Sequence, residues 1–388
     1  MAMLVRRIAS RVVGATGSRP SKSDAYLVSF GMADDGRLGL GVDHAHDDST
    51  AVPTHVPFPG QSVRQVSCGG AHTVALMTGG SVYAFGLNDE GQCGQAPEEA
   101  GAVWQAEEVL VPEDVDRVAS GFRHSLAVGK ERVWRWGGGS SMPRVVPLPD
   151  GAAADVVDVA AGDGYSILVT KEGRALLYGE EGQGAGGCVE LSPGRNIVKA
   201  SAGHFHAALC DDQGNVQLVH NVQAQLLSRG SRVSVEDVDV SHPVRDVACG
   251  GGHTLLSLVG GGVMAWGQGD ALGLGDGEGR KRPTRILGLD GAEIVKVAAG
   301  WRHSMAIDHA GRLFAWGWGG SQGGSVSLLE RRGGGGGQLG LGDDCDAWEP
   351  RLVERIRMGG LEIGNEYWRA VDVSLGINHS CCVVDPAR

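Results

Sequence analysis

An imidazole followed directly by a hydroxyl pairs a base with a nucleophile, and this chain repeats the pairing: His72-Thr73, His124-Ser125, His253-Thr254, His303-Ser304 and His379-Ser380. Tyr165 and His206 hold the same place in the same phrase, in copies reading VSCGGAHTVAL, VASGFRHSLAV, VAAGDGYSILV, ASAGHFHAAL, VACGGGHTLLS, VAAGWRHSMAI and VSLGINHSCCV. Two chemistries fit such residues. One is attack by a Ser or Thr that His has activated; the other is a metal held by converging imidazoles. Number and placement argue against both. Catalysis needs one constellation, whereas this one recurs in nearly every copy. A metal needs three or four ligands at about 2 Å, whereas a repeat hands one His to each unit, and Tyr165 is a poor substitute as a zinc ligand. The seven positions are therefore expected to be structural, each tying the turn of its unit to nearby backbone, because buried polar groups need partners. The sequence points to no catalytic or metal-binding residue.

The elements that carry these residues follow from the spacing. Taking His or Tyr as the register, the copies are separated by 52, 41, 41, 47, 50 and 76 residues, in the range of solenoids and propellers. Each copy has a Val/Ala-rich run ending in Gly, a second apolar run after the His, and a third ending in aromatic-Gly, as in Val82–Gly86, Val133–Gly137, Val263–Gly267 and Leu313–Gly317. Runs this short and bounded by Gly are strands. A sheet of a few such strands cannot cover its own faces, but sheets packed radially cover one another. The predicted fold is all-β, a seven-bladed β-propeller over 24–388. Its N-terminal segment begins at a third strand, Tyr26–Gly31, and its C-terminal segment stops after a second, at Val383-Val384-Asp385. The two ends are thus expected to share the closing blade and so remove free sheet edges.

A tail completes several copies: Asp35-Gly36-Arg37-Leu38-Gly39, Glu90-Gly91-Gln92-Cys93-Gly94, Asp270-Ala271-Leu272-Gly273 and Gly337-Gln338-Leu339-Gly340. The combination V-x-x-G-x-x-H-[ST]-x-A, aromatic-Gly, G-Q-L-G-x-G resembles the repeat of the regulator of chromosome condensation family over 25–385. That resemblance implies three functions. Members with organellar leaders are associated with organelle gene expression, including RNA splicing and ribosome assembly. The founding member is a guanine-nucleotide exchange factor for a small GTPase, acting through a loop wedge that no residue here matches. The plant photoreceptor of this fold senses UV-B with Trp clusters in G-W-R-H-[ST] repeats. Here only Gly300-Trp301-Arg302-His303-Ser304 fits; the equivalents of Trp301 are taken as Phe122, Gly164, Phe205, Gly252 and Asn378. A lone Trp makes no coupled cluster, so photoreception ranks last.

The 65 glycines among 388 residues, with 42% apolar content, indicate turns rather than disorder. No run of eighteen apolar residues is present to span a membrane. Residues 1–23 carry Arg6, Arg7, Arg11, Arg19 and Lys22, no acid, and Leu4, Val5, Ile8, Val12 and Val13 on one helical face. That is the pattern of a transit peptide, and import into mitochondria is the predicted localisation, with chloroplast, cytosol or nucleus as alternatives. The remaining body sets 29 Lys and Arg against 46 Asp and Glu, which disfavours broad binding of naked nucleic acid. The eight cysteines form no C-x-x-C motif and are expected to be reduced thiols. There is no P-loop or other cofactor fingerprint, and a ring closed on itself is expected to be monomeric.

Function is therefore sought where the repeat breaks. The fourth copy replaces aromatic-Gly with Val216–Asn221 and continues through a polar stretch. The sixth carries a Gly-rich insertion at about 318–337 that includes Leu328, Leu329, Arg331 and Arg332, the candidate partner contacts. A second candidate is the basic run Arg280, Lys281 and Arg282 with Arg285, which Arg351, Arg355 and Arg357 match in the neighbouring segment; solvated strand edges are the preferred reading there. The expected function is a non-enzymatic scaffold binding a protein partner, a GTPase or a ribonucleoprotein, with nucleotide exchange as the alternative.

Overall fold

The computed structural model describes residues 25–44, 49–59, 62–97, 101–149, 155–179, 188–220, 222, 233–320 and 336–387. The leader and the four insertion residues Leu328, Leu329, Arg331 and Arg332 lie outside them. No helix among the described residues is long and apolar enough to cross a membrane.

Seven sheets, each with a four-stranded antiparallel blade, form a propeller. Blade 1 runs outward from the axis as Val63–Cys68, His72–Met77, Val82–Leu87 and Ala102–Val109. Blades 2 to 6 repeat this order over 115–145, 156–191, 197–238, 244–285 and 294–352. The second strands are continuous apolar runs because neighbouring blades cover both faces; His72–Met77 and His303–Asp308 are buried at every residue. Blade 7 closes the ring as expected: Trp368–Leu375 and His379–Pro386 come from the C-terminal end, Tyr26–Met32 and Ser49–Val56 from the N-terminal end, with Tyr26 opposite Val384 and Gly31 opposite His379. An addition not legible in the repeat is the hairpin Arg355–Met358 and Leu361–Gly364, which joins the outer edge of blade 7 through Thr54 and Arg357. It shares with the Gly-rich insertion the extra length of the last repeat interval.

The repeated His does tie units together, but not to the backbone of its own turn. Each Nε2 reaches the hydroxyl that follows the His of the next blade: His72 to Ser125 at 2.9 Å, His124 to Ser166 at 2.9 Å, His206 to Thr254 at 2.7 Å, His253 to Ser304 at 2.8 Å, His303 to Ser380 at 2.9 Å and His379 to Thr73 at 3.1 Å. The hydroxyls in turn donate to tail carbonyls of the preceding blade, Ser125 to Gln92, Ser304 to Ala271, Ser380 to Gln338 and Thr73 to Arg37. A hydroxyl has one proton, so at these junctions the imidazole must donate, which assigns the Nε2–H tautomer. Trp136 and Trp316 donate to the same carbonyls of Gln92 and Ala271. His, hydroxyl, Trp and tail thus form one clasp across a blade junction.

One link is made differently. Ala207 offers no hydroxyl, and the residue facing it from blade 3 is Tyr165, whose longer side chain instead shares its one hydroxyl proton between the carbonyls of Gly203 and His206, each at 2.9 Å. The two departures from the repeat compensate each other.

Two predictions follow from the clasp. Tyr165→His alone should place an imidazole opposite Ala207 with no hydroxyl to meet and destabilise the fold by about 1–3 kcal/mol. Adding Ala207→Ser should recover most of that loss in denaturant titrations, and a double mutant no more stable than the single one would refute the compensation. Burial holds His72, His124, His253 and His303 at about 3 and His206 at about 4. Their folded values lie below the unfolded value of about 6.5, so their contribution is complete above that pH and lost as the pH falls towards the folded values. Each withheld proton is worth about 1.4 kcal/mol per pH unit, so the five should consume a net stability of about 5–15 kcal/mol within one to two units. Melting midpoints measured from pH 7.5 to 5 should fall steeply below 6.5; a flat profile would contradict neutral buried imidazoles.

Candidate functional site

The turn between the first two strands brings one residue of each blade to the axis, two positions before the His: Gly70, Phe122, Asp163, His204, Gly251, Trp301 and Ile377. Backbone bonds between neighbours fix this ring, with Phe122 N–H donating to Gly162 O at 3.0 Å, Gly251 N–H to Gly300 O at 3.0 Å and Trp301 N–H to Gly376 O at 3.1 Å. Glycine is required where blades approach most closely. A Cβ on Gly70 would lie 2.6 Å from Phe122 O, and one on Gly251 would lie 2.5 Å from Trp301 O. This register corrects the sequence alignment of the Trp301 position: Gly164, Phe205, Gly252 and Asn378 each stand one residue too late, and the true equivalents are Asp163, His204, Gly251 and Ile377.

The ring surrounds a concavity of about 430 Å³, over which three blades lean their side chains together. His204 of blade 4 lies 5.4 Å from the Phe122 ring of blade 2, 4.7 Å from Trp301 of blade 6 and 4.1 Å from its neighbour Phe205. Its Nδ1 is 3.3 Å from Asp163. Burial lowers the His204 pKa against the opposing pull of Asp163. Phe205 is 51% exposed at the rim. Around the aromatic cluster the charges are matched: Arg123 bonds Glu90 at 3.1 Å, and Arg302 bonds Asp270 while its guanidinium sits 5.1 Å above Trp318. An aromatic centre inside a rim of paired charges is the layout of a protein-binding surface.

The same end of the ring carries the connections between third and fourth strands, because the third strand returns to the end where the second began. The breaks in the repeat at blades 4 and 6 therefore leave from this face; the ends of the sixth-blade insertion, Gly320 and Gly336, meet there. The basic candidates lie elsewhere. Arg280, Lys281 and Arg282 are on the outermost strand of blade 5, away from the axis, where Arg280 pairs with Asp276 and Arg285 with Asp290. Arg355 and Arg357 share Glu362 on the added hairpin.

Below the mouth, a bulge in every first strand precedes the residue that reaches towards the next blade, a common way to re-aim a side chain. From blades 1 to 7 these residues are Gln65, Arg117, Asp158, Lys199, Asp246, Lys296 and Asp372. Charge alternates around the axis, and the odd seventh place is neutral. Lys199 pairs with Asp246 and Lys296 with Asp372. Burial pulls the Lys296 pKa down, but Asp372 and Asp246 outweigh it and raise it. Asp158, Asp246 and Asp372 also accept the amides of Ala200, Val297 and Val66 at 2.9, 2.9 and 3.0 Å, and Gln65 accepts that of Val118 at 3.0 Å.

Comparison with known proteins agrees with this geometry: residues 26–382 match the RCC1-like domain. The chain belongs to that family. It is 28% identical to the human regulator of chromosome condensation over 424 aligned positions, covering 97% of this chain and 94% of the relative. It is 26% identical to the ultraviolet-B receptor UVR8 of Arabidopsis thaliana, covering 88% and 78%. It is also 26% identical to the mitochondrial RCC1 domain-containing protein RUG3 of Arabidopsis thaliana, covering 91% of this chain and 64% of the relative. In fold, this RCC1-like chain superposes on human WBSCR16 with a TM-score of 0.74 at 21% identity, over 93% of this chain and 99% of that one. Against yeast Prp20p the TM-score is 0.77 at 18% identity, over 95% and 93%.

The alternating ring makes a specific prediction. Gln65→Glu would put a carboxylate beside Asp372, facing the carbonyl of Val118 that Gln65 now donates to at 3.1 Å. The variant should lose about 1–3 kcal/mol in urea unfolding at pH 7.5, and unchanged stability would show that charge parity around the axis is not energetically enforced.

Proposed function

We propose that this RCC1-like propeller acts by binding in mitochondria, presenting the axial aromatic face to a protein partner engaged in organelle gene expression. The observation that carries the reading is the cluster of Phe122, His204, Phe205 and Trp301, centred in a ring of paired charges on the face from which the repeat departs. Clusters of buried aromatics inside a polar rim supply most of the affinity of protein interfaces. Mitochondrial placement draws on the Arg-rich, acid-free leader and on the mitochondrial relative RUG3. Leu328, Leu329, Arg331 and Arg332 of the insertion, whose flanking Gly320 and Gly336 lie on this face, are proposed as further contacts, while Lys281 and Arg282 offer a secondary basic edge on blade 5. A GTPase or a ribonucleoprotein protein are the partner classes of choice.

Guanine-nucleotide exchange is the second reading. It is favoured by 28% identity to the human regulator along nearly the whole chain, and by the description of Prp20p with its binding to Gsp1p and histones. UV-B reception is not proposed, since the axial ring holds one Trp among seven positions.

The full chain, tagged at its C-terminus, should be captured from isolated mitochondria with a reproducible partner. Trp301→Ala and Phe205→Ser should cut that recovery about tenfold or more while leaving the melting temperature unchanged, and Lys130→Glu, on the opposite face, should have no effect. Absence of the protein from mitochondria would overturn the localisation. Equal recovery by all variants would overturn the face. Release of bound nucleotide from a captured GTPase would move the conclusion to exchange.

A further inference from the structure

The closing junction differs from the other six in one chemical respect. Cys68 ends the first strand of blade 1, and Cys381 stands in the second strand of blade 7. Both thiols contact one and the same hydroxyl. Thr73 Oγ1 lies between them, 3.9 Å from Cys68 Sγ and 3.7 Å from Cys381 Sγ. Cys68 Sγ is also 3.2 Å from the carbonyl of Ser374, the residue paired with Cys381 across blade 7. At the equivalent places of the other junctions the pair is never two thiols. Cys249 of blade 5, in the position of Cys68, faces Ala208 of blade 4.

The pair is buried yet reachable. Cys381 is fully covered, whereas Cys68 keeps 7% exposure and lines the axial concavity behind the aromatic mouth. Cys68 is thus the member of the pair on the side of the concavity. Burial raises the pKa of both thiols, but at Cys68 the neighbouring Cys381 thiol and His379 ring outweigh it, leaving Cys68 the more acidic of the two. The thiol on the side of the concavity is thus also the one that more readily becomes a thiolate.

We propose that Cys68 and Cys381 are a peroxide-responsive pair whose disulfide locks the ring at the blade where the two ends of the chain meet. Cys68 as thiolate attacks a hydroperoxide; the O–O bond breaks, an alcohol or water leaves, and a sulfenic acid forms on Cys68. Cys381 then attacks that sulfur, an S–S bond replaces the S–O bond, and water departs. Two thiols and one hydroperoxide give one disulfide, one alcohol or water and one further water. The cross-link encloses nearly the whole chain between residues 68 and 381, so it constrains the unfolded state more than a bond within one blade would. This inference stands apart from the partner-binding reading and survives its failure.

The purified full chain is treated with hydrogen peroxide, denatured, alkylated with N-ethylmaleimide and mapped by mass spectrometry, with and without reductant. The expected result is a loss of two hydrogens, two fewer alkylated thiols, a reducible peptide pair containing Cys68 and Cys381, and a higher melting temperature for the oxidised protein. Cys68→Ser and Cys381→Ser should each abolish the cross-link and the rise, whereas Cys249→Ser should retain both. All eight thiols still alkylated in the treated wild-type protein would overturn the proposal. So would a cross-link through another cysteine, or over-oxidation of exposed Cys345 with the pair intact. The mapping needs no variant, so a poorly folded substitution cannot obscure the outcome.

Discussion

The ring depends on a hydrogen bond that each blade makes with the next and none can make alone. An imidazole or phenol buried between two sheets must find a partner, since an unpaired polar group there costs about 1–3 kcal/mol. The partner is always supplied by the following blade. Every junction therefore carries the same polar constraint, and the last junction joins blade 7 back to blade 1 through His379 and Thr73. The bond specifies geometry more than it supplies energy. It fixes the rotation of each sheet about its neighbour, which places the residues of the axial ring.

The clasps are not equally furnished. Blades 5, 6, 7 and 1 have the tail whose carbonyl receives the hydroxyl, so the junctions they form with the following blade join three groups. At the other three junctions the described residues link His124 to Ser166, Tyr165 to backbone and His206 to Thr254. The alternating charges of the inner strands follow a different logic. With seven places, an alternating ring must contain one exception, and an uncharged amide at Gln65 fills that place without setting like charges side by side.

Much of this was legible from the chain alone, because propellers repeat and repeats expose their own exceptions. The seven-fold count, the strand order and the shared blade all followed from positions such as His72, Gly86 and Tyr26. What escaped sequence reading depends on contacts between blades. The hydroxyl partner of each His lies 42 to 77 residues away, and 306 residues away at the closing junction, and cannot be inferred from neighbours in the sequence. The axial row was misaligned by one residue because Phe205 matches Trp301 in kind, whereas the residue in register is His204. The hairpin at Arg355–Gly364 has no counterpart in other blades and so left no periodic signal.

The split seventh blade also imposes an order of events on the ribosome. Tyr26–Met32 is among the first strands to emerge, yet its inner neighbour, His379–Pro386, is among the last. At about 5–20 residues per second, the early strand waits roughly 20–70 s with an apolar face and an unpaired edge. Blades 1 to 6 have all their strands in sequence by then. The strand that completes the ring lies between Tyr26–Met32 and Trp368–Leu375, so the contact that becomes available last in synthesis is the one that closes every other contact into a circle.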